Sequence, residues 1–143
     1  MTKPEESVVV LAKHDEHFIL INQFRKPIND YTIQLPGGGV NPNEDIKEAA
    51  KREFLEETGY QCGTVDHLGT LRPASWISDE ITHVFYTNEV LKYVGQALEE
   101  HEKIEVRRVK VDEIYSLIEE GTIDDSELCF AILQGILKGY LTV

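Results

Sequence analysis

At 143 residues the chain is about one domain long and can bury a core without disulfides or a structural metal. Its hydrophobic fraction of 41% and charged fraction of 28% are those of a globular protein, and no stretch is apolar for long enough to span a bilayer. A formal charge of −12 argues against nucleic acid or anionic membrane as partners, and it repels phosphate unless some acids hold cations that reverse the local sign.

The chain opens on a polar, acidic stretch, Met1 to Ser7, without the basic start and apolar run of a secretory signal, so a cytoplasmic protein is expected. Apolar and β-branched runs predict strands over Ser7–Lys13, Phe18–Phe24, Thr32–Leu35, Val65–Leu71, Thr82–Asn88 and Ile104–Val109. Helices are predicted over Asp45–Thr58, Val111–Glu120 and Asp125–Lys138, the second stopping at Gly121. Strands grouped before and between a few helices imply an α/β protein with a mixed sheet and helices on its faces. No repeat, linker or low-complexity tract divides the chain, so residues 1–143 are read as one domain. Cys62 and Cys129 lack close Cys and His spacings, which suggests neither a disulfide framework nor a zinc site.

The first helix has the firmest bounds: Asp45 with Glu48 makes a capping box, and Gly59 supplies a left-handed stop. Before it, Leu35 to Asn43 carries three successive glycines, which fit an ordinary tight turn or a close backbone approach. On the helix, Glu53, Glu56 and Glu57 fall at i, i+3 and i+4, so three carboxylates share one face. Such a face is either solvated or a site for a hard cation, and Mg²⁺ suits it because this ion takes oxygen ligands and is commonly shared with substrate phosphates. Arg52, four residues from both Glu48 and Glu56, is placed to orient a carboxylate. Ile46, Ala49, Ala50 and Phe54 form the side that packs on the sheet.

Residues 38–60, GGVNPNEDIKEAAKREFLEETGY, resemble the complete Nudix box, G-x5-E-x7-R-E-U-x-E-E-x-G-U, with Phe54 and Tyr60 in the bulky apolar slots U. At residue frequencies of about 5–7%, the fixed positions would coincide by chance in roughly one window in 10⁸ or fewer. The resemblance implies the family's α/β/α sandwich, with a mixed sheet between helices, and hydrolysis of a nucleoside diphosphate linked to another moiety. Carried over the matched motif, Glu53 and Glu57 become the principal Mg²⁺ ligands, Glu56 a further or water-mediated one, and the Gly37 carbonyl a backbone ligand, with Mn²⁺ as an alternative ion.

Over most of its length the chain is also similar to the ADP-ribose pyrophosphatase branch of that family. Asn22 to Pro27 matches that branch's Gln-x-Arg strand, which makes Arg25 either a contact to substrate phosphate or ribose or a merely solvated arginine. Glu100 to Val106 resembles the acidic loop that supplies the base, giving Glu102 or Glu100 as candidates. Pro73 to Glu80 stands where the branch has a Ser-Pro-Gly loop and an acidic residue; Glu80 fits, the Pro-Gly does not, and Trp76 either stacks on a base or packs at an edge. The Glu usual before Leu-Pro is here Gln34. The resemblance thus implies a small-molecule nucleotide substrate such as ADP-ribose, with homodimerisation as a family expectation. A MutT-like hydrolase of nucleoside triphosphates and a non-catalytic nucleotide sensor are the alternatives.

Overall fold

The computed structural model describes residues 4–143, so the first residues of the acidic N-terminal stretch lie outside the description. The chain runs β1 (Glu6–His14), β2 (His17–Arg25), β3 (Asp30–Gln34), β4 (Gly37–Gly39), α1 (Ile46–Thr58), β5 (Tyr60–Cys62), β6 (Asp66–Leu71), β7 (Ile81–Thr87), β8 (Val90–Tyr93), β9 (Ile104–Lys110), α2 (Ile114–Glu119) and α3 (Ser126–Leu137). The main sheet has the order β3-β2-β1-β7-β6, with β4 added to β1 and β9 to β2. β1 and β7 are parallel while the other pairings are antiparallel, which makes the mixed sheet expected from the sequence.

β1 is apolar without alternation because both its faces are buried. Val8, Val10 and Ala12 face α1, packing with Ala49, Ala50, Phe54 and Phe85. Val9 and Leu11 face the opposite layer, built on Ile114 of α2 and Leu128, Ala131 and Ile132 of α3. Helices therefore cover both sides of one sheet, the α/β/α sandwich. Among the described residues no helix is long and apolar enough to cross a membrane.

The feature that creates the site is a fork between β1 and β2. The two strands pair only beside their turn, at Ala12 to His14 with His17 to Ile19. Beyond it they splay, and β3 takes the vacated edge of β2 while the glycine segment takes that of β1. The sequence predicts no strand over that segment, because three glycines carry no alternating pattern. Its register is clear in the backbone: Val10 N–H donates to the Pro36 carbonyl and Val40 N–H to that of Glu6, each at 3.0 Å. By strand alternation the N–H and C=O of Gly37 and Gly39 then point away from β1, toward α1.

Candidate active site

α1 starts and stops as its sequence dictates. The Asp45 carboxylate accepts from Glu48 N–H at 3.2 Å, and Gly59 adopts φ 82°. The predicted reciprocal half of the capping box is replaced by a Glu48–Lys51 pair at 3.8 Å. That pairing also removes Glu48 as a partner for Arg52, which turns the other way.

Arg52 donates to Glu44 at 2.8 and 3.0 Å, to Glu53 at 2.9 Å, to Glu56 at 3.3 Å and to the Gly39 carbonyl at 3.0 Å. One guanidinium thus pins the glycine strand, the loop before α1 and two carboxylates of α1. Burial lowers the Arg52 pKa, but hydrogen bonds, first to Glu44 and then to Glu53, outweigh it and hold the pKa above its usual value. Glu44 was the partner that helical spacing could not reveal, since it lies ahead of the N-cap.

Glu57 is the most buried acid of the helix, at 4% exposure, and accepts from Gly37 N–H at 2.8 Å. Burial pushes its pKa up to about 8; the Gly37 bond opposes this, while the Glu102 and Glu53 charges add to it. Glu53 is raised too, chiefly by burial and against the pull of Arg52. Glycine is required beside these groups: a Cβ on Gly37 would stand 2.0 Å from the Val8 carbonyl oxygen, and one on Gly38 2.5 Å from the Glu53 carboxyl.

The segment after β8 closes the other side. Val94 N–H donates to the Gly59 carbonyl at 2.7 Å, Ala97 N–H to Glu56 at 2.8 Å and the Gln96 side chain to Glu57 at 2.7 Å. The C-terminal carbonyls of α1 are thereby satisfied by the loop that leads to Glu102. Glu102 accepts from Glu99 N–H at 2.9 Å, and its charge is among those that raise the pKa of Glu57.

These elements enclose a cleft of about 1020 Å³. It gathers Gly37, Arg52, Glu53, Glu56, Glu57, Glu102 and Arg25 from the residues singled out in the sequence. Lys26, Lys103, His101 and Gln23 also line it, and Lys103 Nζ lies 5.7 Å from the centre of the Phe24 ring. The remaining candidates lie elsewhere. Glu100 is exposed at the tip of its turn, between the lining residues Glu99 and His101. Trp76 is 81% exposed on the loop between β6 and β7, and Glu80 accepts from the Ser7 hydroxyl at 3.2 Å, both away from the lining. Lys26 and Lys103 were not singled out because isolated lysines carry no spacing signal.

Among the described residues no group of three or more His, Cys, Asp or Glu side chains is drawn together closely enough to hold a cation. Arg52 donates to Glu53 and Glu56, while Gly37 N–H donates to Glu57. The donor set nevertheless suits a hard divalent ion. All are oxygen donors, two have their charged forms disfavoured by burial, and the outward-facing Gly37 carbonyl lies beside them.

A carboxylate helix, a glycine strand and cationic side chains share one cleft in an α/β/α sandwich, an arrangement suited to a hydrolase of the phosphate-anhydride type. A family model described as the NUDIX domain matches residues 2–129, and the chain belongs to the Nudix family. The ADP-ribose pyrophosphatase of Bacillus subtilis (strain 168) is 31% identical over 140 residues, which cover 96% of this chain and 76% of that protein. The methanol dehydrogenase activator of Bacillus methanolicus is 29% identical over 140 residues, covering 94% and 76%. A crystal structure described as an ADP compounds hydrolase superposes with a TM-score of 0.86 at 22% identity, over 99% of this chain and 77% of that one, which shows the shared fold.

Proposed function

We propose that this chain hydrolyses the diphosphate linkage of a nucleotide sugar, ADP-ribose foremost, to a nucleoside monophosphate and a sugar phosphate, with Mg²⁺ as the ion. The observation that carries the reading is the meeting in one cleft of the box carboxylates with Arg25, Lys26 and Lys103. The relatives named above, one of them an ADP-ribose pyrophosphatase, support the choice of substrate.

In this reading Glu53, Glu56, Glu57 and the Gly37 carbonyl hold the ion, and Arg52 keeps the carboxylates in register. Bound there, a divalent cation neutralises the diphosphate, polarises the attacked phosphorus and lowers the pKa of water. Arg25 takes a phosphate oxygen on the opposite wall. Glu102 accepts the proton of the attacking water, and it is preferred to Glu100 because it lines the cleft with the box carboxylates while Glu100 does not. Trp76 and Glu80 lie outside the lining of this cleft and have no part in the reading. A single domain acting in the cytoplasm completes the reading.

A product-resolved assay with Mg²⁺ tests it, offering ADP-ribose, other nucleotide sugars and nucleoside triphosphates separately. AMP and ribose 5-phosphate are the expected products. Pyrophosphate released from triphosphates would instead make the enzyme MutT-like, and absence of turnover with any of them would leave a nucleotide sensor.

A further inference from the structure

Among the described residues Arg25 is held by an amide and not by an acid. Its Nε donates to Gln34 Oε1 at 2.9 Å, and Gln34 Nε2 donates in turn to Asp125 Oδ1 at 3.1 Å. The other oxygen of Asp125 accepts from Leu128 N–H at 3.0 Å and caps α3. Arg25 is a donor only and the Asp125 carboxylate an acceptor only, so the amide between them has one orientation that satisfies both. No side chain with two equivalent oxygens does this: a carboxylate at position 34 would set one oxygen against Asp125 without a proton between them. Among the described residues Arg25 makes no salt bridge within 4 Å. Glu127 feels its charge, but that carboxylate is taken up by the Thr82 hydroxyl at 2.6 Å.

We propose that Gln34 is a positioning residue that ties Arg25 to the N-cap of α3 through a neutral amide, leaving the terminal guanidinium nitrogens without a carboxylate partner in the cleft lining, available to a phosphate oxygen of a diphosphate substrate. The tether occupies only Nε, so the remaining fork is free for a bidentate, charge-assisted contact. This inference rests on the reading of the cleft as a nucleotide-sugar site.

The test separates charge from geometry. In Gln34→Glu/Asp125→Asn the amide and the carboxylate change places. The amide now at position 125 donates to the carboxylate now at position 34, and the amide oxygen still caps α3, since Asn is as good an N-cap as Asp. Arg25 keeps its anchor but is now paired with a carboxylate. Affinity is read by calorimetric titration, with Mg²⁺ present, of the methylene-bridged analogue of ADP-ribose, whose carbon bridge hydrolysis does not break. The double variant is expected to melt with the wild type and to bind about tenfold more weakly, as expected for losing part of a charged contact. With ADP-ribose as substrate its KM should rise by more than its kcat falls. Gln34→Glu alone should lose both affinity and melting temperature, and adding Asp125→Asn should recover the second but not the first. Unchanged affinity in the double variant would overturn the proposal, as would a fall in kcat at constant KM. Binding of the analogue does not require turnover, so an inactive wild type that binds it would reject the proposed reaction while leaving the Arg25 measurement decisive.

Discussion

The acids of the cleft differ in what their neighbours do to them, and this separates their expected roles. Glu102 sits on a short turn, held by Glu99 N–H at 2.9 Å, and its exchange should leave the core intact. Glu102→Gln is expected to lower kcat by roughly 100-fold or more, the usual contribution of a general base, with little change in KM. Steady-state kinetics at saturating Mg²⁺ checks this, and a raised KM with kcat intact would move the base elsewhere. The two glycines ahead of the helix should fail in different ways. Gly37→Ala drives a methyl into the Val8 backbone at 2.0 Å and is expected to cost about 3 kcal/mol of stability, seen as a lower denaturation midpoint. For Gly38→Ala the nearest atoms belong to the Glu53 side chain, which can rotate, so the fold should survive while more Mg²⁺ is needed for half-maximal activity. Glu53, Glu56 and Glu57 were legible in the sequence because helical spacing puts them on one face. The partners of Glu44, Gln34 and Lys103 were not, since each is reached across separate segments.

At the scale of elements, α3 begins next to the site and carries a buried acid in its first turn. Burial raises the pKa of Glu127 against the lowering effect of its Thr82 bond, and the Asp125 and Glu80 charges add to the rise. The sign follows from linkage: an acid whose folded pKa exceeds its unfolded value costs stability once the unfolded chain ionises. That cost is absent below the ordinary value of 4.5, grows as pH rises through the folded pKa and is complete above it. Glu127→Gln, which keeps an oxygen for the Thr82 hydroxyl, should therefore melt above the wild type at pH 7. The gap should close as pH falls below 4.5, and a gap independent of pH would assign the effect to packing. The predicted helix starting at Asp125 was correct within a residue because Asp125 is its N-cap. The second helix is shorter than predicted: Val111–Glu113 forms a 3-10 turn before α2 takes over. The six predicted strands all form. β4, β5 and β8 were missed for physical reasons: β4 is all glycine, and β5 and β8 are three and four residues that pair only with each other. Such short strands depend on tertiary partners rather than on their own pattern.

For the molecule as a whole, the charge of −12 and the chemistry of the cleft pull in opposite directions. An anionic substrate approaches through a repulsive field and is attracted only within a few ångströms of Arg25, Lys26 and Lys103, or of a bound cation. Screening reaches about 30 Å at 0.01 M salt and about 8 Å at 0.15 M. Added salt should thus weaken the long-range repulsion before it weakens the short contacts in the partly enclosed cleft. At fixed free Mg²⁺, kcat/KM for ADP-ribose is expected to rise severalfold between about 0.01 and 0.15 M KCl, the reverse of an enzyme that steers its substrate with a basic surface. The rise should appear in kcat/KM and not in kcat, because repulsion acts on encounter and not on the bound complex. A fall over that range would mean that the cationic wall, and not the net charge, sets the field at the mouth of the cleft. Replacing exposed acids outside the cleft lining, such as Asp112 and Glu113, with Asn and Gln separates the two: the net negative charge becomes smaller while the cleft keeps every lining group, so the salt response should flatten with kcat unchanged.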